Sequence, residues 1–425
     1  MTLGERVLMV RVLLRAGGPT IVANLGPAFA PGMLASVLTE RLARRWGLDT
    51  TKVVALRQGL PGNPTTEMDL ALWQLSQQIK SDPAARRLVT EETPEAVVMA
   101  YEEEQLPPWT QAGLRDFLAR YGHRAIREID VGMPRWSETP EYIINTLRNY
   151  LLLDDPALAP DVHFEALARA AEQAQTELLE TARSQRGGRP KAAILRFLTS
   201  RMRSLMGGRE APKFWMVRMI SVMRHVLHGA GQDLAAQGLL EGPDDVFFLR
   251  LGELEQAAQG SVHDLARRVT ERRATYDREL QRRQLPRIIT SEGEIIVGRQ
   301  PSSNPNEIVG VGVSPGVREG TVRVIRNPHG AHLAPGEILV APSTDPAWTP
   351  LFLTAGGLVM EAGGMLSHGS VVAREYGIPA VVGVGDATTR LKTGERIRID
   401  GTMGTVEIMD RAPALSQATA AAAVA

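Results

Sequence analysis

The chain changes its hydrophobic period once, near residue 286, and that change limits the folds open to it. Before this point apolar residues recur at three- and four-residue spacing, the repeat of an amphipathic helix. The spacing predicts helices over Pro31–Gly47, Thr65–Lys80, Pro108–Tyr121, Glu141–Leu153, His163–Ser184, Lys191–Met206, Lys213–Leu240 and Glu253–Gln284. Thr65, Thr66 and Glu67 give the second of these an N-cap pattern. The heavy charge of the last is that of a solvated face. Beyond it, Ile289–Arg299 reads as a hairpin and Arg299–Glu307 as a Pro/Ser/Asn linker. Short β-like runs follow at Gly320–Ile325, Glu337–Ala341, Gly357–Glu361, Ala380–Val384, Arg396–Asp400 and Thr405–Met409, with a single helix near Ser370–Tyr376. The expected fold is multidomain. A mainly α-helical domain covers 1–285, a hairpin and linker 286–309, a compact α/β domain 310–410, and a low-complexity tail 411–425.

Composition excludes some function classes. Lys+Arg and Asp+Glu both number 48, so the chain lacks the basic excess of a protein that binds nucleic acid through bulk charge. Cysteine is absent, which removes disulfides, thiolate nucleophiles and Cys-ligated zinc. The expectation is of no apolar run reaching the ~18 residues of a membrane helix. Glu5, Arg6, Arg11 and Arg15 interrupt the first residues, unlike a secretory signal. The chain is therefore expected to be soluble and cytoplasmic, with neither nucleic acid nor membrane as a partner. Only five of the basic residues are Lys, and Lys213 is one of them.

The chemistry concentrates at Glu361–Gly383. An apolar strand (Gly357–Glu361) runs into Gly363 and Gly364, and Ser367-His368-Gly369 opens a short helix. Glycines let the backbone turn sharply and approach a phosphate closely. A helix start offers unpaired N–H groups and the positive end of a dipole. A neutral imidazole is a competent nucleophile at neutral pH. These features suit a histidine that becomes phosphorylated, against the bland alternative of a helix cap.

The run Gly363–Gly383 closely resembles the phosphohistidine swivelling domain of the phosphoenolpyruvate-utilising enzymes, as do Ser314-Pro315-Gly316, Pro335–Val340 and Asp400-Gly401. Within that family the likeness is to the rifampicin phosphotransferases, carried by Thr344–Phe352, Leu60–Met68, Tyr121–Trp136 and Gly208–Phe214 and covering about residues 55 to 409. The resemblance implies that His368 is the catalytic phosphocarrier, with Gly363, Gly364, Ser367 and Gly369 forming its loop. It implies that Arg209 and Lys213 flank the acceptor site, and that the helical half is the latter part of a substrate-binding domain. Met216, Met219 and Trp136 are candidates to line a pocket for a bulky ring system, with core packing as the alternative. ATP and Mg2+ are implied for the reaction, but on a separate ATP-grasp domain or subunit. None is expected on this chain, which has no G-x-x-x-x-G-K-[ST] loop. No barrel domain follows the His domain, so phosphoenolpyruvate synthesis is not expected, and the chain reads as a split-enzyme subunit or a fragment.

The expected function is relay of the β-phosphoryl of ATP by His368 to a hydroxyl of a small, bulky acceptor. The alternatives are a non-catalytic phosphocarrier or interaction subunit, an inert remnant, and an ATP-dependent ligase. Tyr121–Arg124 with Glu128, Asp130 and Arg135 reads as an ion-pair scaffold and matches no zinc spacing, so no metal is expected. His225 and His228 are expected on a helix face.

Overall fold

A computed structural model of the chain describes residues 1–153, 155, 156, 159–262, 264–281, 288–296, 304, 306–328, 331–345, 348–364 and 367–410. Most of the expected linker, the tail 411–425, and Pro346, Ala347, Met365 and Leu366 of the motif stretches lie outside the described residues. The chain forms two compact units, residues 1–147 with 166–285 and residues 148–165 with 286–425. The segment 148–165, which the sequence places in the helical domain, thus belongs with the second unit.

The helices are α1 (Leu3–Val12), α2 (Gly18–Arg45), α3 (Thr50–Ala55), α4 (Pro64–Ser81), α5 (Pro83–Glu91), α6 (Pro94–Glu102), α7 (Pro108–Tyr121), α8 (Glu141–Leu151), α9 (Pro160–Ser184), α10 (Gly188–Leu205), α11 (Ala211–Ala236), α12 (Leu251–Ala258) and α13 (Leu265–Leu280). Thr2 starts α1 with a reciprocal capping box, its hydroxyl taking the Glu5 N–H while Glu5 takes the Thr2 N–H. Asn63, not a threonine, caps α4. The predicted Glu253–Gln284 helix is broken into α12 and α13 around Gly260, whose φ of +67° suits the left-handed end of a helix.

The largest difference lies at the N-terminus. Helix runs almost without interruption from Leu3 to Arg45, through a π-helical turn at Leu13–Gly17 and past Pro27 and Pro31, where the sequence predicts a start at Pro31. Proline costs a helix one hydrogen bond. Here packing overrides that preference. Gly32 lies so close to α10 that a Cβ on it would come within 2.8 Å of the Met206 nitrogen, and Ala35, Ala43, Leu195 and Met202 share one buried cluster. No residue from Ala16 to Thr39 is charged. By length and composition this run contains a stretch long and apolar enough to cross a membrane, 17% of it buried, so the expectation of no such run is corrected. Its glycines and prolines hide it from a search for a plain aliphatic stretch. A second cluster joins Val7 and Val10 of α1 to Ile220, Met223 and Leu227 of α11 and to Leu254 and Val269.

In the second unit β1 (Ile288–Ile289) pairs with β2 (Ile295–Ile296) in the expected hairpin. An eight-stranded sheet follows, built from β3 (Glu307–Val309), β4 (Val311–Ser314), β5 (Val317–Val324), β6 (Ile338–Ala341), β7 (Gly357–Met360), β8 (Ala380–Val382), β9 (Arg396–Asp400) and β10 (Thr405–Asp410), in the order β3-β10-β9-β5-β6-β7-β8-β4. Strands β5 to β8 are parallel and the others join antiparallel. Strands β3 and β4, adjacent in sequence, occupy opposite edges, so the sheet curls back on itself. Strand β6 is buried on both faces, and its side chains alternate between two cores as the two-residue period requires. Ile338 and Val340 join Val359, Val381 and Ile399, while Leu339 and Ala341 join Leu358, Met360 and Val382. Among the described residues, the helices that lie between strands of the sheet are α14 (Thr349–Phe352), α15 (His368–Tyr376) and α16 (Ala387–Arg390), of which only α15 is legible as a helix in the sequence.

Candidate functional site

In the second unit, β7 delivers the chain to a glycine-bearing loop and α15 receives it. Gly363 has φ +137°, a conformation that side chains rarely adopt, and Gly363 and Gly364 are exposed. Ser367 occupies the N-cap of α15, but its hydroxyl does not cap the helix. It bonds instead to the Gly364 carbonyl at 2.9 Å and to the Ser370 hydroxyl at 2.9 Å. His368 is thus the first residue of a nine-residue helix whose first turn carries no acidic residue.

The imidazole is half-buried rather than fully solvent-facing. Its Nε2 lies 3.4 Å from the Thr349 hydroxyl, and its ring lies 6.2 Å from that of Phe352, tilted by 30°. Gly369 is required behind it. A Cβ there would sit 2.3 Å from the Thr344 hydroxyl and 2.8 Å from the Met360 sulfur. Glu361, at the end of β7, accepts from both the backbone N–H and the hydroxyl of Thr388, at 2.7 and 2.6 Å, which ties the loop to α16. Thr344, Thr349 and Phe352 lie in one of the motif stretches, but their place around His368 was not legible there.

In the first unit, Arg209 and Lys213 do not share one helix. Arg209 lies in a 3-10 turn, Met206–Glu210, and Lys213 in the first turn of α11. The Arg209 Nε is 3.9 Å from a Glu210 oxygen. Lys213 Nζ binds Glu128 at 2.8 Å, and Glu128 also takes Arg124 Nε at 2.5 Å. Burial raises the Glu128 pKa, but Arg124 and Lys213 more than offset this and hold it below the ordinary value. Arg135, fully buried, donates to the backbone carbonyls of Glu128 and Asp130. Two motif stretches far apart in sequence, Tyr121–Trp136 and Gly208–Phe214, therefore meet through Glu128 and Lys213.

His123 packs edge-on against Phe214, ring centres 4.7 Å apart. Its Nε2 is buried without a hydrogen-bond partner among the described residues. Burial, aided by the charges of Arg124 and Arg218, lowers its pKa to about 4, so it is neutral at physiological pH. Trp136 is 2% exposed and stacks on Tyr142 at 5.4 Å, a core position. Met216 packs against the α1–α11 cluster. Met219 lines a groove of about 530 Å3 with Val12, Leu13, Ile21, Leu25 and Trp215. Arg218, over the Trp215 ring at 5.5 Å, is the charged residue in its lining. His225 is exposed, and His228 lies 3.8 Å from Asp244. Among the described residues no group of three His, Asp or Glu is placed to hold a metal ion.

Comparison with known proteins bears on both units. Residues 24–210 match the rifampicin phosphotransferase fourth domain, and residues 333–404 match the mobile domain of PEP-utilising enzymes. Both matched stretches are therefore similar to parts of enzymes of this phosphotransferase type. The chain is 34% identical to a rifampicin phosphotransferase of Streptomyces sviceus over 90% of its own length and 44% of the relative's. It is 34% identical to that of Bacillus subtilis over 88% of its own length and 43% of the relative's. A prodigiosin synthesizing transferase, PigC, of Serratia marcescens is 30% identical over 81% of this chain and 39% of that protein. The chain thus spans less than half the length of these relatives.

Proposed function

We propose that the chain is the phosphocarrier and acceptor-binding part of a phosphotransferase that acts on a hydroxyl of a bulky, lipophilic molecule such as an ansamycin antibiotic. One observation carries the reading: a half-buried histidine begins a helix just after a glycine-bearing loop, on the mobile domain of PEP-utilising enzymes. Helix N-terminal N–H groups favour a phosphoryl group there, and Thr349 lies beside Nε2 to orient the ring.

ATP, held with Mg2+ on another domain or subunit, supplies the phosphoryl group as its β-phosphoryl. Neither Thr349 nor Phe352 brings a charge to hold a nucleotide beside His368. The chain's own step is the second transfer. The acceptor oxygen attacks phosphorus, the O–P bond forms and the N–P bond breaks. The imidazole nitrogen takes the bonding pair and then the proton released by the hydroxyl. Arg209 and Lys213 stabilise the charge spread over the transferring oxygens. Lys213 must exchange its Glu128 contact for the phosphoryl group as it does so. The apolar groove along Met219 is the acceptor's binding surface, with Met219 and Trp215 adapting to its shape.

A relative named as a synthesizing transferase favours a second reading, in which the transfer serves a biosynthetic step such as an ATP-dependent ligation. A single-turnover experiment tests the first. The chain is charged with phosphoramidate, freed of excess reagent, and mixed with a rifamycin. A phosphorylated rifamycin and a matching loss of phosphohistidine are expected. Phosphohistidine that decays equally fast with and without acceptors would leave only a carrier. A condensed product formed on adding an amine would establish the ligase reading.

A further inference from the structure

On the far side of the α10 core face lies a cavity of about 470 Å3 lined by Arg183, Arg189, Ala192, Ala193, Arg196, Phe197, Ser200 and Arg201. No acidic residue lines it. The four arginines are exposed, and none has a carboxylate partner among the described residues. Arg57, Arg124, Arg224, Arg268 and Arg272 each hold a glutamate. Four like charges around one concavity repel each other and raise the local potential.

The positions are regular. Arg189 and Arg196, seven apart, share a face of α10 with Ala193 and Ser200, whose small side chains leave the space open. Arg189 also stands in the first turn of α10, which has no acidic residue and no side-chain cap. A cation there opposes the helix dipole, and a bound anion would relieve both this and the mutual repulsion. In the middle of the group Phe197 is 63% exposed, with the Arg201 guanidinium 5.8 Å from its ring centre.

We propose that this concavity binds a polyphosphate group, free or carried on a nucleotide, as a site separate from the phosphoryl-transfer chemistry. Guanidinium groups match phosphate oxygens two at a time, and several converging arginines discriminate a chain of phosphates from a single one. Phe197 offers a stacking face to a base if the phosphates are carried on one. The inference rests on α9 and α10 alone and does not depend on the role of His368.

Calorimetric titration of the full chain at low ionic strength tests it, with tripolyphosphate, ADP, GTP and orthophosphate as separate probes. Tripolyphosphate is expected to bind at one site, far more tightly than orthophosphate, and to weaken steeply with added salt. Arg196→Ala and Arg189→Ala should each weaken it on the order of tenfold, with Arg196→Lys intermediate. Circular dichroism should show each variant still folded. Phe197→Ala should leave tripolyphosphate unchanged and weaken the nucleotides if the nucleotide is the natural source. Equal loss for both probes, or none, with Phe197→Ala assigns the site to free polyphosphate. The proposal is overturned if no probe binds at millimolar concentration, or if the Arg196→Ala/Arg201→Ala double variant binds as well as the parent. Loss of His368 phosphorylation with this site intact would sink the functional reading and leave this one standing.

Discussion

His123 makes the helical unit acid-sensitive in a calculable way. Its pKa is about 4 in the folded chain, against 6.5 for an ordinary imidazole. The unfolded chain therefore takes up a proton on falling through pH 6.5, while the folded chain resists until about pH 4. Stability is complete above pH 6.5 and is lost as the pH drops. With these two values the loss is about 2 kcal/mol at pH 5 and about 3 kcal/mol at pH 4. Other groups titrate over the same range, so the comparison must be with a variant. His123→Phe keeps an aromatic ring against Phe214 and removes the titration. Urea unfolding of both proteins, followed at pH 7.5, 6, 5 and 4.5, should show the parent losing about 2 kcal/mol more than His123→Phe between pH 7.5 and 5. A carbon-labelled histidine spectrum should place the His123 transition near pH 4. Equal pH slopes for the two proteins, or a His123 transition above pH 6, would refute the burial argument.

Other outcomes follow from the two sites. Lys213→Ala should let phosphohistidine accumulate while transfer to the acceptor falls about a hundred- to a thousandfold, read by single-turnover quench. Arg209→Lys should also be impaired, because an ammonium cannot replace a two-pronged donor. Glu128→Gln should weaken the hold on Lys213 and leave the buried Arg124 without its full counter-charge, costing about 3–5 kcal/mol in urea unfolding. Gly369→Ala should cost about 1–3 kcal/mol in thermal or urea unfolding of the second unit, because the new methyl group meets Thr344 and Met360.

Much of the second unit was legible because its sequence is locally decisive. Strand β9 ends where alternation and Asp400 predict, and β6 begins one residue after the predicted Glu337. Strands β3 and β4 are not legible in the sequence, because Val309-Gly310-Val311 offers too short a run on either side of the glycine to show a period. In the first unit α7 matches its prediction, Pro108–Tyr121, but α2 does not, because Pro27 and Pro31 signal a break that tertiary packing overrides. Helices α1, α3, α5 and α6 are likewise not legible in the sequence, the last three being six to nine residues long. The site divides in the same way. His368 and its loop are contiguous and could be read directly. The link from Lys213 in α11 to Glu128, in the turns between α7 and α8, needs the fold. Trp136 looked like a pocket residue by type, and only packing shows it enclosed against Tyr142.

The proposed role of His368 as carrier of the phosphoryl group is open to direct test. The most direct measurement is peptide mapping by mass spectrometry of the chain after charging with phosphoramidate at neutral pH, alongside His368→Ala. A phosphate is expected on His368, stable to base and lost in acid, absent from the variant, and discharged on addition of an acceptor. A phosphate retained in His368→Ala at the same stoichiometry, or found on Ser367 and stable to acid, would contradict it.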